Sequence, residues 1–197
     1  MTTATLPAPT FTPARLRWTC DTFHDVCDTG VFEGRNVILV DGEILEMPAP
    51  NPPHDMALTL ADYQLKKLFA TGFVVRVQMG LVFGLRTDPV PDIAVVTGSP
   101  RDYTTHPRTA VLVVEVADSS LSYDRTDKAS LYASAGVADY WVVDVAGRKV
   151  EVFRDPRPDG AQPFGAKYAS ATAFGPGDDI TPLAGPGGSV PVAELLP

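Results

Sequence analysis

The sequence predicts a single α/β domain, because apolar runs typical of buried strands alternate with shorter helical patterns. The clearest unit is residues 110–144, in which two apolar runs, 110–114 and 140–143, flank a short helical pattern. This order indicates strand, helix and strand. The Asp41-Gly42 pair between two further apolar runs is a strong signal of a β-hairpin. With 45% hydrophobic and 20% charged residues, the composition is that of an ordinary globular domain.

The net charge and the cysteine pattern argue against several classes of protein. A formal net charge of −8 and a pI of about 4.7 argue against an extended basic surface for nucleic acid. They leave room for a local positive groove or a metal-bridged contact. Cys20 and Cys27 form no CxxC pair and no His/Cys cluster. The sequence therefore indicates neither a zinc site nor a disulfide framework.

The N-terminal residues are rich in Thr, Pro and Ala and lack the basic and apolar regions of a signal peptide. We expect a flexible arm over 1–14, followed by one domain over 15–197. No apolar run approaches the length that spans a membrane. These features predict a cytoplasmic protein without membrane association.

Start and stop signals place the elements of the first half of the chain. In order, we predict a helix over 17–31 with Thr19 or Asp21 as its N-cap and Gly30 at its end, a hairpin of strands 37–40 and 43–47, and a helix from His54 to about Ala70 that stops before Gly72. Residues 73–83 alternate between apolar and other side chains, which predicts one long half-buried strand.

The second half contains shorter elements. In order, we predict a strand over 91–96, a strand over 110–114 closed by Glu115, a helix near 123–135 with Ser122 as its N-cap and Gly136 just beyond its end, a hairpin of 139–145 with 149–154, an edge strand over 166–174 and a closing segment over 190–196.

Two acids lie at the ends of neighbouring apolar elements. Asp92 begins one strand, and Glu115 closes the other. A carboxylate at the end of so apolar a strand is costly to bury unless it is paired, protonated or bound to a metal. Paired acids on rigid elements supply the hard oxygen ligands that a divalent cation needs. For Asp92, the structural alternative is a cap of the turn after Pro91.

The short helix after Glu115 carries a charged face. Asp124, Lys128 and Tyr132 follow one another at intervals of four residues, which places them on one side of the helix. Lys128 is therefore held at a fixed place against the sheet. A partly buried ion pair between Glu115 and Lys128 is the structural alternative to a catalytic role.

His54 lies at the start of a predicted helix, whose positive end favours an anion such as phosphate. The alternative is that a histidine beside Pro53 is an ordinary helix-start residue. Tyr132, Tyr140 and Trp141 are expected in the core rather than against nucleic-acid bases.

Several of these motifs occur in an order that resembles one known family. They are Val40-Asp41-Gly42-Glu43-Ile44, His54, Pro91-Asp92-Ile93-Ala94-Val95, Val113-Val114-Glu115-Val116, Asp124-Arg125-Thr126-Asp127-Lys128 with Tyr132, and the segment 135–144. Together they resemble the Uma-type putative restriction endonuclease family of the PD-(D/E)XK nuclease superfamily. The resemblance covers about residues 18–154 and extends more weakly to the C-terminus.

The resemblance implies a restriction-endonuclease-like α/β fold, in which a mixed β-sheet is flanked by α-helices and carries extra β-hairpins. It also implies that Asp92 and Glu115 are catalytic, metal-binding acids. The usual superfamily pattern places a lysine two positions after the second acid, where this chain has Ala117. The family's pattern instead places a lysine on the following helix, which matches Lys128.

The activity implied by the resemblance is metal-assisted hydrolysis of a phosphodiester bond, most simply in DNA. Mg²⁺, or alternatively Mn²⁺, would be held by Asp92, Glu115 and the Val116 carbonyl. Lys128 would orient the attacking water or stabilise charge in the transition state. His54 would contact the phosphate or organise the acids.

Three further residues are expected around these groups. Asp124 would pair with Lys128 and fix its position, and Gln78 and Glu46 are candidates near the same sheet edge. A catalytically inactive module of the same fold, binding nucleic acid or a protein partner, remains a second interpretation, because the net charge is acidic and Ala117 replaces a lysine. RNA is an alternative substrate under the nuclease interpretation.

An edge strand could also support a homodimer, which would suit cleavage of both strands of a duplex.

Overall fold

A six-stranded mixed sheet forms the centre of the protein. The computed structural model describes residues 13–185 and 187–197, so the predicted arm lies outside the described residues apart from positions 13 and 14. The strands are β1 (Val37–Val40), β2 (Glu43–Glu46), β3 (Phe73–Val77), β4 (Ile93–Thr97), β5 (Leu112–Ala117), β6 (Asp139–Asp144), β7 (Lys149–Pro158), β8 (Ala166–Phe174), β9 (Asp179–Ile180) and β10 (Val190–Pro191). The helices are α1 (Cys20–Asp28), α2 (Pro52–Leu68), α3 (Leu121–Tyr123) and α4 (Ala129–Ser134), and a π-helical turn, Asp124–Lys128, joins the last two.

The central sheet has the strand order β3-β4-β5-β6-β7-β8. β5 and β6 are parallel, and the other neighbours in this sheet are antiparallel. A parallel pair needs a crossover connection. Here that connection is the continuous helical segment 121–134, named the site helix below. The strand, helix and strand predicted over 110–144 are therefore confirmed, as is the mixed sheet flanked by helices.

Apolar side chains cover both faces of the sheet. On one face, Val114 belongs to the same buried cluster as Leu65 of α2. On the other, Val113 packs in the cluster that contains Tyr132 of the site helix. Because side chains alternate along a strand, Glu115 shares the face of Val113 and points towards the site helix. Strands buried on both faces explain why β4, β5 and β6 read as continuous apolar runs.

The predicted hairpins are confirmed. β1 and β2 form a separate antiparallel pair joined at Asp41-Gly42, and β6 pairs with β7 as predicted. β8 pairs with β7 and is the last strand of the sheet, which confirms the predicted edge strand. β1 also joins α1 to the rest of the fold, because Leu39 packs with Cys20 and Phe23 in one apolar cluster.

Gly42 is a position where the backbone leaves no room for a side chain. Its φ is +76°, and a Cβ there would lie 2.9 Å from the Cβ of Arg17 and 3.0 Å from the carbonyl oxygen of Trp18. We expect Gly42→Ala to lower the free energy of unfolding by about 2 kcal/mol, measured by urea denaturation. Gly34→Ala is the matched control, because Gly34 has a φ of +77° with open space around its Cβ. Equal losses in the two variants would show that the close approach to Arg17 and Trp18 contributes nothing.

Polar side chains cap the first two helices, and Thr19, one of the two predicted caps of the first helix, is confirmed. Thr19 precedes α1, and its side-chain oxygen accepts the backbone N–H of Thr22 at 3.2 Å. Asn51 precedes α2 in the same way and accepts the backbone N–H of His54 at 3.1 Å. α2 begins at Pro52, two residues before the predicted start, so His54 lies in its first turn, near the N-terminus as predicted.

The long strand predicted over 73–83 is wrong in extent. β3 ends at Val77, because Gln78 adopts a φ of +48°, which is incompatible with an extended strand. Beyond it, Met79 is exposed and Leu81 is buried on the face of the site helix. The alternation of apolar and other side chains over 73–83 therefore continues past the end of β3, although the chain changes direction there.

Two boundaries near the site also differ from the prediction. β5 continues to Ala117, so Glu115 lies inside a strand rather than at its end. The site helix begins at Leu121 after Ser120, not after Ser122. Within the described part of the chain, no helix combines the length and apolar character needed to cross a membrane.

Candidate active site

A cleft of about 460 Å³ opens where β4 begins and β5 ends. Its walls come from the turn before α2, the N-terminus of α2 and the residues that lead into the site helix. Six of the predicted site residues line it: His54, Gln78, Asp92, Glu115, Val116 and Lys128. The antiparallel register of β4 and β5, which pairs Ile93 with Val114, is what places Asp92 beside Glu115.

Asp92 immediately precedes β4 and is held by two donors. Its Oδ2 accepts the backbone N–H of Val116 at 2.8 Å and lies 3.1 Å from Nε2 of His54. Burial opposes the charged form of this carboxyl, but the hydrogen bonds from His54 and Val116 outweigh it and lower the pKa. Asp92 therefore presents an ionised carboxylate to the cleft. Its Oδ1 has no hydrogen bond to the residues that the structure describes.

His54 reaches Asp92 from the first turn of α2. The hydrogen bond to Asp92 raises the pKa of the imidazole, although partial burial acts against it. The other ring nitrogen, Nδ1, is buried without a hydrogen bond in the described part of the chain and lies 3.7 Å from Oδ1 of Asp55. His54 thus acts as a donor that orients Asp92.

Glu115 is the most deeply buried acid of the cleft, with 1% of its surface exposed. Its Oε1 accepts the hydroxyl of Tyr132 at 2.6 Å. Its Oε2 lies 3.0 Å from Nζ of Lys128 and accepts the backbone N–H of Asp92 at 3.3 Å. Burial raises the pKa of Glu115 to about 8 despite the opposing effect of Lys128, and the carboxylates of Asp92 and Asp124 act in the same direction as burial.

Lys128 links the acids of the sheet to those of the site helix. Its Nζ lies 3.0 Å from Glu115 Oε2 and 3.0 Å from Asp124 Oδ1. Burial disfavours the ammonium, but the two carboxylates outweigh burial and raise its pKa above the usual range. Lys128 is therefore charged while Glu115 favours its proton. Glu115 keeps its proton because burial disfavours its charged form and the carboxylates of Asp92 and Asp124 act in the same direction.

The π-helical turn sets the position of Lys128. Asp124, at its start, is fully buried and accepts the hydroxyl of Ser120. Its backbone carbonyl accepts the hydroxyl of Tyr140 at 2.9 Å. Turns of this kind are rare and occur frequently at functional sites. The sequence indicated an ordinary helix here, since no residue pattern distinguishes one wide turn from an α-helical one.

The remaining predicted residues divide into two groups. Gln78 lines the cleft, and its backbone N–H donates to the Asp92 carbonyl at 3.0 Å. Glu46 does not line the cleft. It lies on the exposed edge of the hairpin and forms two hydrogen bonds with Arg35, at 2.5 and 3.0 Å. The structure thus brings Asp124 and Gln78 to the site and leaves Glu46 away from it.

Two contacts of the site were not predicted. Tyr132 is a core residue, as expected, but its hydroxyl also donates to Glu115. The sequence spacing that places Asp124, Lys128 and Tyr132 on one helix face is the signal from which this contact could have been predicted. At the cleft wall, Nδ2 of Asn51 donates to an oxygen of Asp118 at 2.6 Å.

The donor set fits a divalent cation. Glu115 and Asp124 contact Lys128, and Asp92 lies beside Glu115, so full ionisation of the three acids would leave excess negative charge in a buried site. Carboxylate oxygens on rigid strands are the ligands that Mg²⁺ and Mn²⁺ prefer. Asp92, with one oxygen that has no hydrogen bond to the described residues, and Glu115 beside it are the groups that could hold the ion.

Comparisons with known proteins bear on the fold and the family of the chain. No curated protein matches the chain. Among solved structures, a putative nuclease belonging to DUF820 from Anabaena variabilis ATCC 29413 superposes with a TM-score of 0.62 at 17% identity. The match covers 81% of this chain and 88% of that one, and it supports the predicted fold. The profile of the Uma2 family, described as "Putative restriction endonuclease", matches residues 20–193. The chain therefore belongs to the Uma2 family of putative restriction endonucleases.

Proposed function

We propose that this protein is a divalent-metal-dependent endonuclease that hydrolyses phosphodiester bonds in DNA. The observation that supports the proposal best is the cluster of Asp92, Glu115 and Lys128 at a cleft, in a chain of this family. The acids supply ligands, and the lysine supplies a fixed positive charge. Family membership favours a nuclease, and DNA is the substrate that its description suggests.

Asp92 and Glu115, with the carbonyl of Val116, are the groups proposed to hold Mg²⁺ or Mn²⁺. A bound divalent ion polarises a phosphoryl oxygen and lowers the pKa of a bound water. His54 keeps Asp92 ionised and oriented by the contact of 3.1 Å. His54 also lies at the positive end of α2, where a phosphate is favoured.

Lys128 is proposed to orient the attacking water or to stabilise the negative charge that grows on the phosphoryl group. It takes the place of the lysine that the superfamily usually has at the position of Ala117. The two carboxylates beside it keep it charged, and Asp124 fixes its position through the contact of 3.0 Å. A preorganised charge of this kind costs no rearrangement at the moment of reaction.

A non-catalytic module of the same fold is the second candidate. The net charge of −8 favours it, because such a surface repels a polyanion, and so does Ala117 at the usual lysine position. The two candidates differ in metal dependence. An endonuclease of this kind needs the ion for cleavage, whereas the module needs none. A homodimer through a sheet edge stays a prediction.

We expect wild-type protein to bind Mg²⁺ and Mn²⁺ saturably in calorimetric titrations and to nick plasmid DNA only when the ion is present. The Asp92→Ala/Glu115→Ala variant should lose both properties while remaining folded by circular dichroism. Asp28→Ala/Glu33→Ala removes the same amount of charge from exposed positions and is the matched control. Absence of metal binding and nicking in wild type, even with DNA present, would favour the non-catalytic module.

A further inference from the structure

The structure brings together three side chains that sequence spacing does not connect. His24 lies on α1, Asp88 lies four residues before Asp92, and His106 lies between β4 and β5. We infer that these residues form a second metal site, which takes a zinc ion. The site is separate from the active-site acids and goes beyond the proposed nuclease function.

The distances suit a shared ion. Nε2 of His24 lies 2.5 Å from Asp88 Oδ2, and Nδ1 of His106 lies 3.3 Å from Asp88 Oδ1. One ligand atom from each of the three residues lies within 4.8 Å of the others. The ligands of a tetrahedral zinc ion, at about 2.0–2.2 Å from the metal, lie about 3.3 Å from one another. The spacing of the three side chains is therefore similar to that of a zinc ligand set.

The charge of Asp88 also calls for a cation. Its side chain is 4% exposed, and its only salt-bridge partners among the described residues are the two histidines. No lysine or arginine of the described chain reaches it. Neither imidazole carries a fixed positive charge as a lysine or an arginine does, and a divalent ion would supply one to this buried carboxylate.

Gly80 makes room for the cluster. A Cβ at this position would lie 2.4 Å from Nδ1 of His106 and 2.8 Å from Oδ1 of Asp88. The backbone of Gly80 thus lies directly against the proposed ligand atoms. A larger residue would displace the His106 ring from Asp88.

The ligand types favour zinc over magnesium. Two imidazole nitrogens and one carboxylate are characteristic of zinc and other transition metals, whereas Mg²⁺ prefers oxygen ligands. The side chains of His24 and His106 are each 42% exposed, so the fourth position faces solvent. Cys20 and Cys27 lie on the same helix, but they pack in the apolar cluster of α1 and are not part of the ligand group.

The ion would join three segments, one of which leads directly to Asp92 of the active site. The N–H of Cys20 in α1 donates to the Leu85 carbonyl, and the N–H of Val82 donates to the Pro107 carbonyl. Asp88 lies in the segment between these contacts and Asp92. A zinc ion there would anchor α1 and the loop of His106 to the segment that positions Asp92. It would thus act as a structural clamp rather than at the phosphate.

Zinc titration of chelator-treated protein tests this inference. We expect wild type to bind one Zn²⁺ per chain and to unfold at a higher temperature with zinc than without it. His24→Gln and His106→Gln should each weaken zinc binding by at least about tenfold. These are partly exposed positions, so both variants should fold, which circular dichroism checks. Replacement of the third histidine in His54→Gln is the matched control and should leave zinc affinity unchanged.

Two further measurements locate the ion. Zinc affinity should persist in the Asp92→Ala/Glu115→Ala variant, so loss of the active-site ion and loss of zinc are distinguishable. Co²⁺ in place of zinc should give the absorption of a tetrahedral site with nitrogen and oxygen ligands and no thiolate charge-transfer band. Absence of saturable zinc binding in wild type, or undiminished binding in His106→Gln, would overturn the inference. The inference would also be overturned if Asp92→Ala/Glu115→Ala lost zinc binding while His24→Gln and His106→Gln kept it.

Discussion

Glu115→Gln is expected to lower plasmid cleavage by about 10³-fold while leaving the free energy of unfolding within about 1 kcal/mol of wild type. The amide keeps the shape of the carboxyl but is a poor ligand for a divalent cation. Calorimetric titration should show weakened Mg²⁺ binding in the same variant. One substitution is thus expected to lower cleavage and metal affinity while leaving stability nearly unchanged.

The contacts of Glu115 explain why the fold should tolerate the amide. Its oxygen can accept from Lys128, and its NH₂ group can donate to the Tyr132 hydroxyl, which accepts as well as donates. The substitution also removes one of the two acidic side chains in contact with Lys128. A large loss of stability in Glu115→Gln would show instead that the ionised carboxylate is structural, as the ion-pair interpretation requires.

The pH dependence gives an independent check of this residue. Its pKa is raised from 4.5 to about 8 in the folded protein. The folded state therefore binds the extra proton, and this contribution to stability is complete below pH 4.5 and is lost as the pH rises through about 8. In the presence of a chelator, wild type should lose more stability than Glu115→Gln as the pH rises from 4.5 to about 8, the interval between the two pKa values of Glu115. Equal pH profiles of the two proteins would contradict the raised pKa.

Metal binding should follow the opposite trend. A ligand must lose its proton to bind a cation, so Mg²⁺ affinity of wild type should rise with pH until Glu115 is ionised. The increase should approach about tenfold per pH unit below the pKa. Titrations at several pH values measure it.

The position of the acids could be predicted because it follows from strand order. Asp92 begins one apolar run and Glu115 lies late in the next, and antiparallel pairing of those strands places both at one end of the sheet. The helix face of Lys128 followed from its spacing with Asp124 and Tyr132. Glu115 was nevertheless placed at a strand end, because a charged residue resembles a boundary. Only the structure shows that Lys128 and Tyr132 stabilise it inside the strand.

Other features depend on contacts that are remote in sequence. His24, Asp88 and His106 have no spacing typical of a metal site, and their approach depends on how α1 packs against the loops around β4. The break at Gln78 is similar. Its neighbours alternate as in a strand, yet the chain turns there so that its backbone N–H meets the Asp92 carbonyl. The local sequence pattern does not predict such tertiary contacts.

Lys128→Met is expected to lower both cleavage and stability, in contrast to Glu115→Gln. Cleavage should fall by about 10²–10³-fold, because the fixed positive charge is lost. The free energy of unfolding should fall by about 3 kcal/mol, because Glu115 and Asp124 then share a buried site without a cation. Urea denaturation in the presence of a chelator measures this loss. Lys66→Met is the matched control, since Lys66 pairs with Asp62 at the surface, and it should change stability by no more than about 0.5 kcal/mol.

The double variant Glu115→Gln/Lys128→Met tests the structural role of the lysine, and Lys128→Met alone tests its role in cleavage. Removal of one carboxylate should restore at least about 1 kcal/mol of the stability that Lys128→Met loses, since the two side chains are in contact. Cleavage should not return, because neither the acid nor the ammonium is present. If Lys128→Met cleaved DNA as wild type does, the lysine would be only the structural partner of Glu115 and Asp124. Loss of cleavage in Lys128→Met, together with recovered stability in the double variant, would assign both roles to the ammonium, which then holds the acids in the metal-free protein and acts on the phosphate during reaction.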